Sequence, residues 1–220
     1  MNVLVAAPHP DDDVIGCGGS IVRHVREGHP VTVVYVTTGE AGNIHSPKEI
    51  LARIREKEAR AAARLLGVQD LIFLGYPDGC LECDGEVLSR VVGIIREKKP
   101  GLVYLPHGNE AHRDHRKTYE LFTEALRRAA GPWFGESGKK PWSVDTILCY
   151  EIATPLPDVS YVEDITDCLP LKLKALRKHA SQLKNIAYDE AAKSLNRFRG
   201  ITTGRGNYCE CFEVKRIGRI

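Results

Sequence analysis

The chain has 220 residues, 43% hydrophobic, with 31 basic against 29 acidic side chains and a net charge of +2. No long block of one sign occurs, and the charged stretch Arg53 to Arg64 mixes Arg, Lys and Glu as a solvated helix face does, which excludes nucleic-acid binding as the organising theme. No apolar run approaches the roughly 20 residues a membrane span needs, and the N-terminus lacks a basic segment followed by a cleavage site, so a soluble, cytoplasmic protein with one domain over residues 1–220 is expected.

Val3 to Ala7 is a short, unbroken apolar run, which reads as a parallel strand buried on both faces. It ends in Pro8-His9-Pro10 and three aspartates, Asp11, Asp12 and Asp13. The two prolines hold His9 extended. Three adjacent carboxylates beyond a buried strand repel one another unless a cation or hydrogen-bond donors compensate. His9 and Asp12 suit a borderline divalent ion such as zinc but leave it short of a third ligand. The competing reading is an Asp-rich turn capping a helix that starts near Gly16.

That helix carries Gly16-Cys17-Gly18-Gly19-Ser20-Ile21 and runs to about Glu27, where Gly28 stops it. Val31 to Thr37 is a second buried strand, followed by the turn-rich Thr38-Gly39-Glu40-Ala41-Gly42. Pro47 opens a long helix through Leu51, Ile54, Glu58, Ala62 and Leu65 to a stop at Gly67. Leu71 to Leu74 is a third strand, with the loop Gly75-Tyr76-Pro77-Asp78-Gly79 after it. Val87 to Arg96 has helical apolar spacing, and Leu102 to Leu105 is strand four. This alternation predicts an α/β fold: a Rossmann-like, doubly wound, mostly parallel sheet with helices on both faces, its core in residues 1–130.

Residues 131–220 are expected to close a pocket over that core. Thr146 to Tyr150 reads as strand five, Leu171 to Leu183 and Ala187 to Phe198 as helices, and Tyr208 to Val214 as a last strand. The segment Gly131 to Pro141, with Trp133, Phe134 and Trp142, either walls the pocket or packs against the core or another subunit. Seven cysteines and no secretion signal make a disulfide framework a poor default, while Cys80/Cys83 and Cys209/Cys211 are spaced for either a zinc site or disulfides.

Strand four delivers further ligands. It ends in Pro106-His107-Gly108-Asn109-Glu110-Ala111-His112-Arg113-Asp114-His115, and a helix follows through Tyr119, Phe122, Leu126 and Ala130. His112 and His115 are three apart and share a face at the first turn, where Asp114 is favoured by the helix dipole. With strand order 3-2-1-4, strands one and four are neighbours and ligands collect at their carboxyl ends. His9, Asp11 and Asp12 then lie beside His112 and His115, and a metal centre becomes the favoured reading.

With HPDDD and HRDH on one crevice, the sequence resembles the LmbE-like, PIG-L type de-N-acetylases. The resemblance extends to Thr38-Gly39-Glu40, to Arg55 and Glu58 before Leu66-Gly67, to the Leu74 to Gly79 loop, and to Arg199-Gly200 with Tyr208, Glu210 and Phe212. It implies Zn2+ held by His9, Asp12 and His115 with a fourth position for water, although Fe2+ accepts the same donors. It also implies Asp11 as the general base, His112 as the group that polarises the oxyanion or protonates the leaving amine, and Asp114 as the carboxylate that orients a histidine. Arg55 and Asp78 match sugar-contacting positions, with a helix ion pair and a turn former as their respective alternatives. Glu110 stands where some relatives place an aromatic that assists the oxyanion. His107 is expected behind the ligands, and His24, His29, His45 and His179 are expected to be surface or packing residues without partners.

The implied substrate is a small N-acetylglucosamine-containing molecule, and homo-oligomerisation is compatible with the sequence. Another amide, such as a thiol conjugate, is the nearest alternative substrate. A dinucleotide-binding protein is a rival of a different class, because Gly16-Cys17-Gly18 and Glu40 mimic part of the phosphate-binding fingerprint, but Ile21 fills its third glycine position.

Overall fold

A computed structural model describes residues 1–134 and 139–216. One sheet of seven strands carries the fold, in the order β3-β2-β1-β4-β5-β7-β6. β1 (Val3–Ala7), β2 (Val31–Thr37), β3 (Asp70–Tyr76), β4 (Leu102–Pro106) and β5 (Thr146–Tyr150) run parallel. β7 (Cys209–Arg216) is antiparallel between β5 and β6 (Tyr161–Asp164). The order 3-2-1-4 expected from the sequence is therefore present, with β1 between β2 and β4. All of β1 is buried. Val3, Val5 and Ala7 face one core while Leu4 and Ala6 face the other, which is why its sequence is apolar without alternation.

The first core is covered by α1 (Asp12–Arg26), α2 (Lys48–Leu66), α5 (Leu169–Leu176) and α7 (Tyr188–Thr203); α3 (Gly85–Lys98) and α4 (Arg113–Ala129) cover the second. α2 ends as its sequence requires, with Gly67 at φ 83° closing the last turn. α1 departs from expectation. It begins at Asp12 rather than near Gly16, so the aspartates form its first turn, and it is kinked at Cys17, where φ is −140° and ψ 25°.

The glycines around that kink are a packing device. A Cβ on Gly16 would lie 2.1 Å from the Tyr150 ring, and one on Gly19 would lie 2.5 Å from Ile165 Cγ2. Close approach of α1 to β5 and to the segment before α5 is what the run provides. It is not a phosphate-binding turn, and the dinucleotide reading loses its basis.

The C-terminal part fixes α1 from outside. Glu210 on β7 accepts the backbone N–H groups of Gly19 and Ser20, both at 2.8 Å, and the Ser20 hydroxyl at 2.6 Å. Lys172 of α5 donates to Glu210 at 2.8 Å, to the Ile15 carbonyl at 2.8 Å and to Asn196 Oδ1 at 2.9 Å. Both charges are fully covered, and this complete hydrogen bonding is the condition under which a buried ion pair is tolerated.

One expectation changes here, and one strand is new. The segment Leu171 to Leu183 is not one helix: α5 ends at Leu176, and α6 (Ala180–Leu183) follows the buried His179. β6 was not anticipated, being a four-residue edge strand, YVED, half of it charged. Of the Gly131 to Pro141 segment, residues 135–138 lie outside the described residues. Trp142 donates its indole N–H to the Pro100 carbonyl at 2.8 Å, and Trp133 presents its carbonyl to Arg96 at 2.5 Å. Both serve the α3/α4 face. No helix among the described residues is long and apolar enough to cross a membrane. All seven cysteines are free thiols, and no metal-capable cluster among the described residues contains one.

Candidate functional site

The strand ends converge on one cavity of about 350 Å³ lined by His9, Asp11, Asp12, Arg55, Asp78, His112 and His115, together with Ile15, Ile152, Gln182 and Tyr188. His9 follows β1, Asp78 follows β3, and His112 caps the helix after β4, so the topology that makes β1 and β4 neighbours also joins the two motifs. His9 Nδ1 is 3.0 Å from Asp12 Oδ2, His115 Nε2 is 3.3 Å from His9 Nδ1, and His115 Nε2 is 3.4 Å from Asp12 Oδ2. Donors bonded tetrahedrally to one ion at about 2.0–2.2 Å lie roughly 3.3–3.5 Å apart. Those three atoms therefore outline a face that a divalent ion fits, and they are two imidazole nitrogens and one carboxylate oxygen, a donor set suited to zinc or iron(II). His112 stands beside them, its ring centroid 4.8 Å from those of His9 and His115.

The groups behind this face fix its direction. His9 Nε2 meets Asp78 Oδ1 at 3.1 Å and Asp114 Oδ2 at 3.5 Å, so its Nδ1 is the atom turned to Asp12. Asp114 is thus the partner of His9, a pairing that sequence spacing left open, and it also accepts the Gly79 N–H at 2.6 Å. Behind His115, Glu110 Oε2 lies 3.4 Å from Nδ1. A carboxylate on the far nitrogen of a metal-facing histidine sets its tautomer and orientation.

The three aspartates escape mutual repulsion by three routes. Asp11 Oδ1 is paired with Arg55 at 2.8 Å. Asp12 is buried, which raises its pKa, but His115 and His9 more than reverse this and hold it well below the carboxylate range. Asp13 is raised to about 7, first by burial, and accepts the Tyr35 hydroxyl at 3.0 Å. His115 is pushed down by burial yet carried to about 9 by Asp12 and Glu110. His112 is lowered by burial and by the charges of His9 and His115. Its Nδ1 accepts the Asp114 N–H at 3.2 Å, so the proton of the neutral ring sits on Nε2.

Arg55 lines the cavity but commits one terminal nitrogen to Asp11 and the other to the Gly39 carbonyl at 2.9 Å, leaving Nε without a partner. Asp78 accepts the Ala41 N–H at 3.2 Å besides facing His9, and is held at about 2: burial raises it, and His9 outweighs this. Glu40 accepts the Asp78 N–H at 3.0 Å, which makes it the support of that loop. His107 is fully buried, with Nε2 2.7 Å from the Thr154 carbonyl and 3.3 Å from Glu110.

Glu110 is the main residue whose role the sequence hid. It is 1% exposed and accepts the N–H groups of Ile152 at 2.8 Å, Ala153 at 3.3 Å and Thr154 at 3.3 Å. It faces the back of His115 and not the cavity. Gln182 and Tyr188 were also missed as cavity residues, since they come from the C-terminal part whose packing no local pattern announces. His24 and His29 are not partnerless: they bond to each other.

Residues 4–126 match PIG-L, GlcNAc-PI de-N-acetylase. Diacetylchitobiose deacetylase of Thermococcus kodakarensis is 35% identical over 197 residues, covering 85% of this chain and 72% of that protein. Probable N-acetyl-alpha-D-glucosaminyl L-malate deacetylase 2 of Bacillus anthracis is 34% identical over 192 residues, covering 82% and 81%. N,N′-diacetylchitobiose deacetylase of Pyrococcus horikoshii, solved with an inhibitor, superposes with a TM-score of 0.87 at 34% identity, covering 97% of this chain and 83% of that one.

Proposed function

Because the chain belongs to the PIG-L family of de-N-acetylases, we propose that it is a metal-dependent amide hydrolase that removes acetyl from a small N-acetylglucosamine-containing substrate. The observation that carries the reading is the face formed by His9 Nδ1, Asp12 Oδ2 and His115 Nε2, with edges of 3.0, 3.3 and 3.4 Å, opening on a cavity that Asp11 also lines. These three residues would hold the ion, and zinc is the proposed occupant because the edges suit a small tetrahedral shell. When bound, such an ion polarises an acyl carbonyl and brings the acidity of water toward neutrality.

The remaining steps belong to the chain's own groups. Asp11, held in place by Arg55, takes the proton of the attacking water as the new C–O bond forms. His112, protonated on Nε2 in its neutral form, donates to the oxygen of the acyl group as negative charge develops there. When the C–N bond breaks, the proton carried by Asp11 passes to the leaving amine, and acetate and the free amino sugar result. Asp114 and Glu110 keep His9 and His115 turned to their common point. Asp78 and Arg55, both on the cavity wall, are the proposed contacts for the sugar. The C-terminal part contributes Ile152, Gln182 and Tyr188 to the cavity wall. A reducing, cytoplasmic setting is part of the same reading, supported by the exposed free thiols of Cys80 and Cys83.

The test is acetate release from N-acetylglucosamine, its disaccharide and an N-acetylglucosaminyl conjugate, with metal-stripped and zinc-reloaded protein. Zinc should restore release in the wild type, and Asp11→Ala should lower it about 10²–10⁴-fold while still binding the metal. A zinc-loaded wild type inert toward every one of these substrates would move the activity to another amide.

A further inference from the structure

A second cluster of metal-type donors forms at the opposite end of α1, roughly 18 Å along the helix from Asp12 to His24 at the usual rise per residue. Its geometry starts with the helix stop. Gly28, at φ 76°, bonds through its N–H to the Val25 carbonyl at 3.0 Å, and the His29 N–H reaches back to the His24 carbonyl at 2.9 Å. This paired closure is a helix-terminating motif that needs a left-handed residue at the glycine position. It turns His29 back over His24 and leaves their Nδ1 atoms 3.2 Å apart. Glu27 Oε2 lies 3.5 Å from His29 Nδ1, and the three donor atoms lie within 4.8 Å of one another.

We propose that His24, Glu27 and His29 form a second, structural site for a borderline divalent transition ion, zinc being the prime candidate. Two imidazole nitrogens 3.2 Å apart match the edge of roughly 3.3 Å that a tetrahedral zinc requires, and a carboxylate completes three protein donors. The ring of His24 is already oriented. Its Nε2 is hydrogen-bonded to the buried Tyr104 hydroxyl at 3.0 Å, so with the proton on Nε2 the Nδ1 lone pair points at the shared position. Arg23 is paired mainly with Glu163 at 2.5 Å and reaches only Oε1 of Glu27, at 3.9 Å, so Oε2, the oxygen beside His29, stays available to the ion. Both histidines are half-buried and Glu27 is exposed, so water completes the shell. The ion ties the turn between α1 and β2 to β4 through Tyr104. The inference does not depend on the deacetylase reading.

Zinc stoichiometry of the metal-stripped full chain, by equilibrium dialysis and elemental analysis, tests it. The wild type should bind two ions, His115→Ala and the double variant His24→Ala/His29→Ala one each, and zinc-loaded His24→Ala/His29→Ala should keep its hydrolytic rate. A double variant that binds as many ions as the wild type overturns the proposal. If the double variant does not fold, the wild type decides by NMR. A second equivalent of cobalt(II) should broaden the ring signals of His24 and His29, and signals that stay sharp would overturn it equally.

Discussion

Glu110→Gln preserves the shape of a buried side chain while removing its charge, and so isolates what that carboxylate does for His115. One native oxygen takes the N–H groups of Ile152 at 2.8 Å and Thr154 at 3.3 Å; the other takes the Ala153 N–H at 3.3 Å and faces His115 Nδ1 at 3.4 Å. Glutamine has a single acceptor oxygen. With that oxygen kept on Ile152 and Thr154, its NH2 group meets Ala153 N–H and His115 Nδ1–H donor against donor. Unmatched buried donors cost about 1–3 kcal/mol of stability. Loss of the group that fixes the tautomer of a metal-facing histidine weakens metal binding about 10–100-fold, or about 1.4–2.7 kcal/mol. The assay is competition for zinc against a chromophoric chelator, run beside urea unfolding of the metal-free protein. A folded Glu110→Gln protein with wild-type zinc affinity would refute the argument, because His115 would then be oriented without its carboxylate.

Two further outcomes follow from buried features away from the metal-facing atoms. Gly19→Ala places a methyl 2.5 Å from Ile165 Cγ2 and should destabilise the chain by about 1–3 kcal/mol in urea unfolding, with wild-type stability counting against the packing role of the glycine run. His179, fully covered, is held at about 4 by burial, which outweighs the pull of the Asp11 carboxylate. The folded ring stays neutral while the unfolded ring protonates below about 6.5. The unfolded state then binds the extra proton between those values, so His179 contributes a loss of a few kcal/mol of stability as pH falls from about 6.5 toward 4, opposed by Asp13, whose folded carboxyl takes up its proton already at about 7. Relative to the wild type, metal-free His179→Leu should gain stability as pH falls across that range in urea unfolding, and an identical pH dependence of the two proteins would refute the role of His179.

The residues that sequence reading found share one property. HPDDD and HRDH each follow a buried strand, and a topological rule, independent of any particular contact, puts the ends of β1 and β4 together. What stayed hidden depends on contacts between distant segments. Arg55 sits in a helix rich in charge, and nothing local reveals that its partner is Asp11. Glu110 is legible only once residues 152–154 supply its donors. The pairing of His24 with His29 depends on how Gly28 turns the chain, and β6 was lost because a short, charged edge strand looks like a loop. The GCGGS run shows the opposite risk: a pattern that suggested a ligand is consumed by Tyr150 and Ile165.

The Glu210 network also dictates an order of assembly. Glu210 lies 190 residues beyond its Ser20 partner and 38 beyond Lys172. During synthesis the nascent chain can build β1 to β5 and their helices, yet α1 still lacks its carboxylate partner and Lys172 its counter-charge until β7 has emerged and threaded between β5 and β6. Contacts this remote in sequence form late and slowly. An arrested or truncated chain would therefore present the paired motifs on an unsealed helix, exposing apolar surface of the kind that draws intermediates into aggregates.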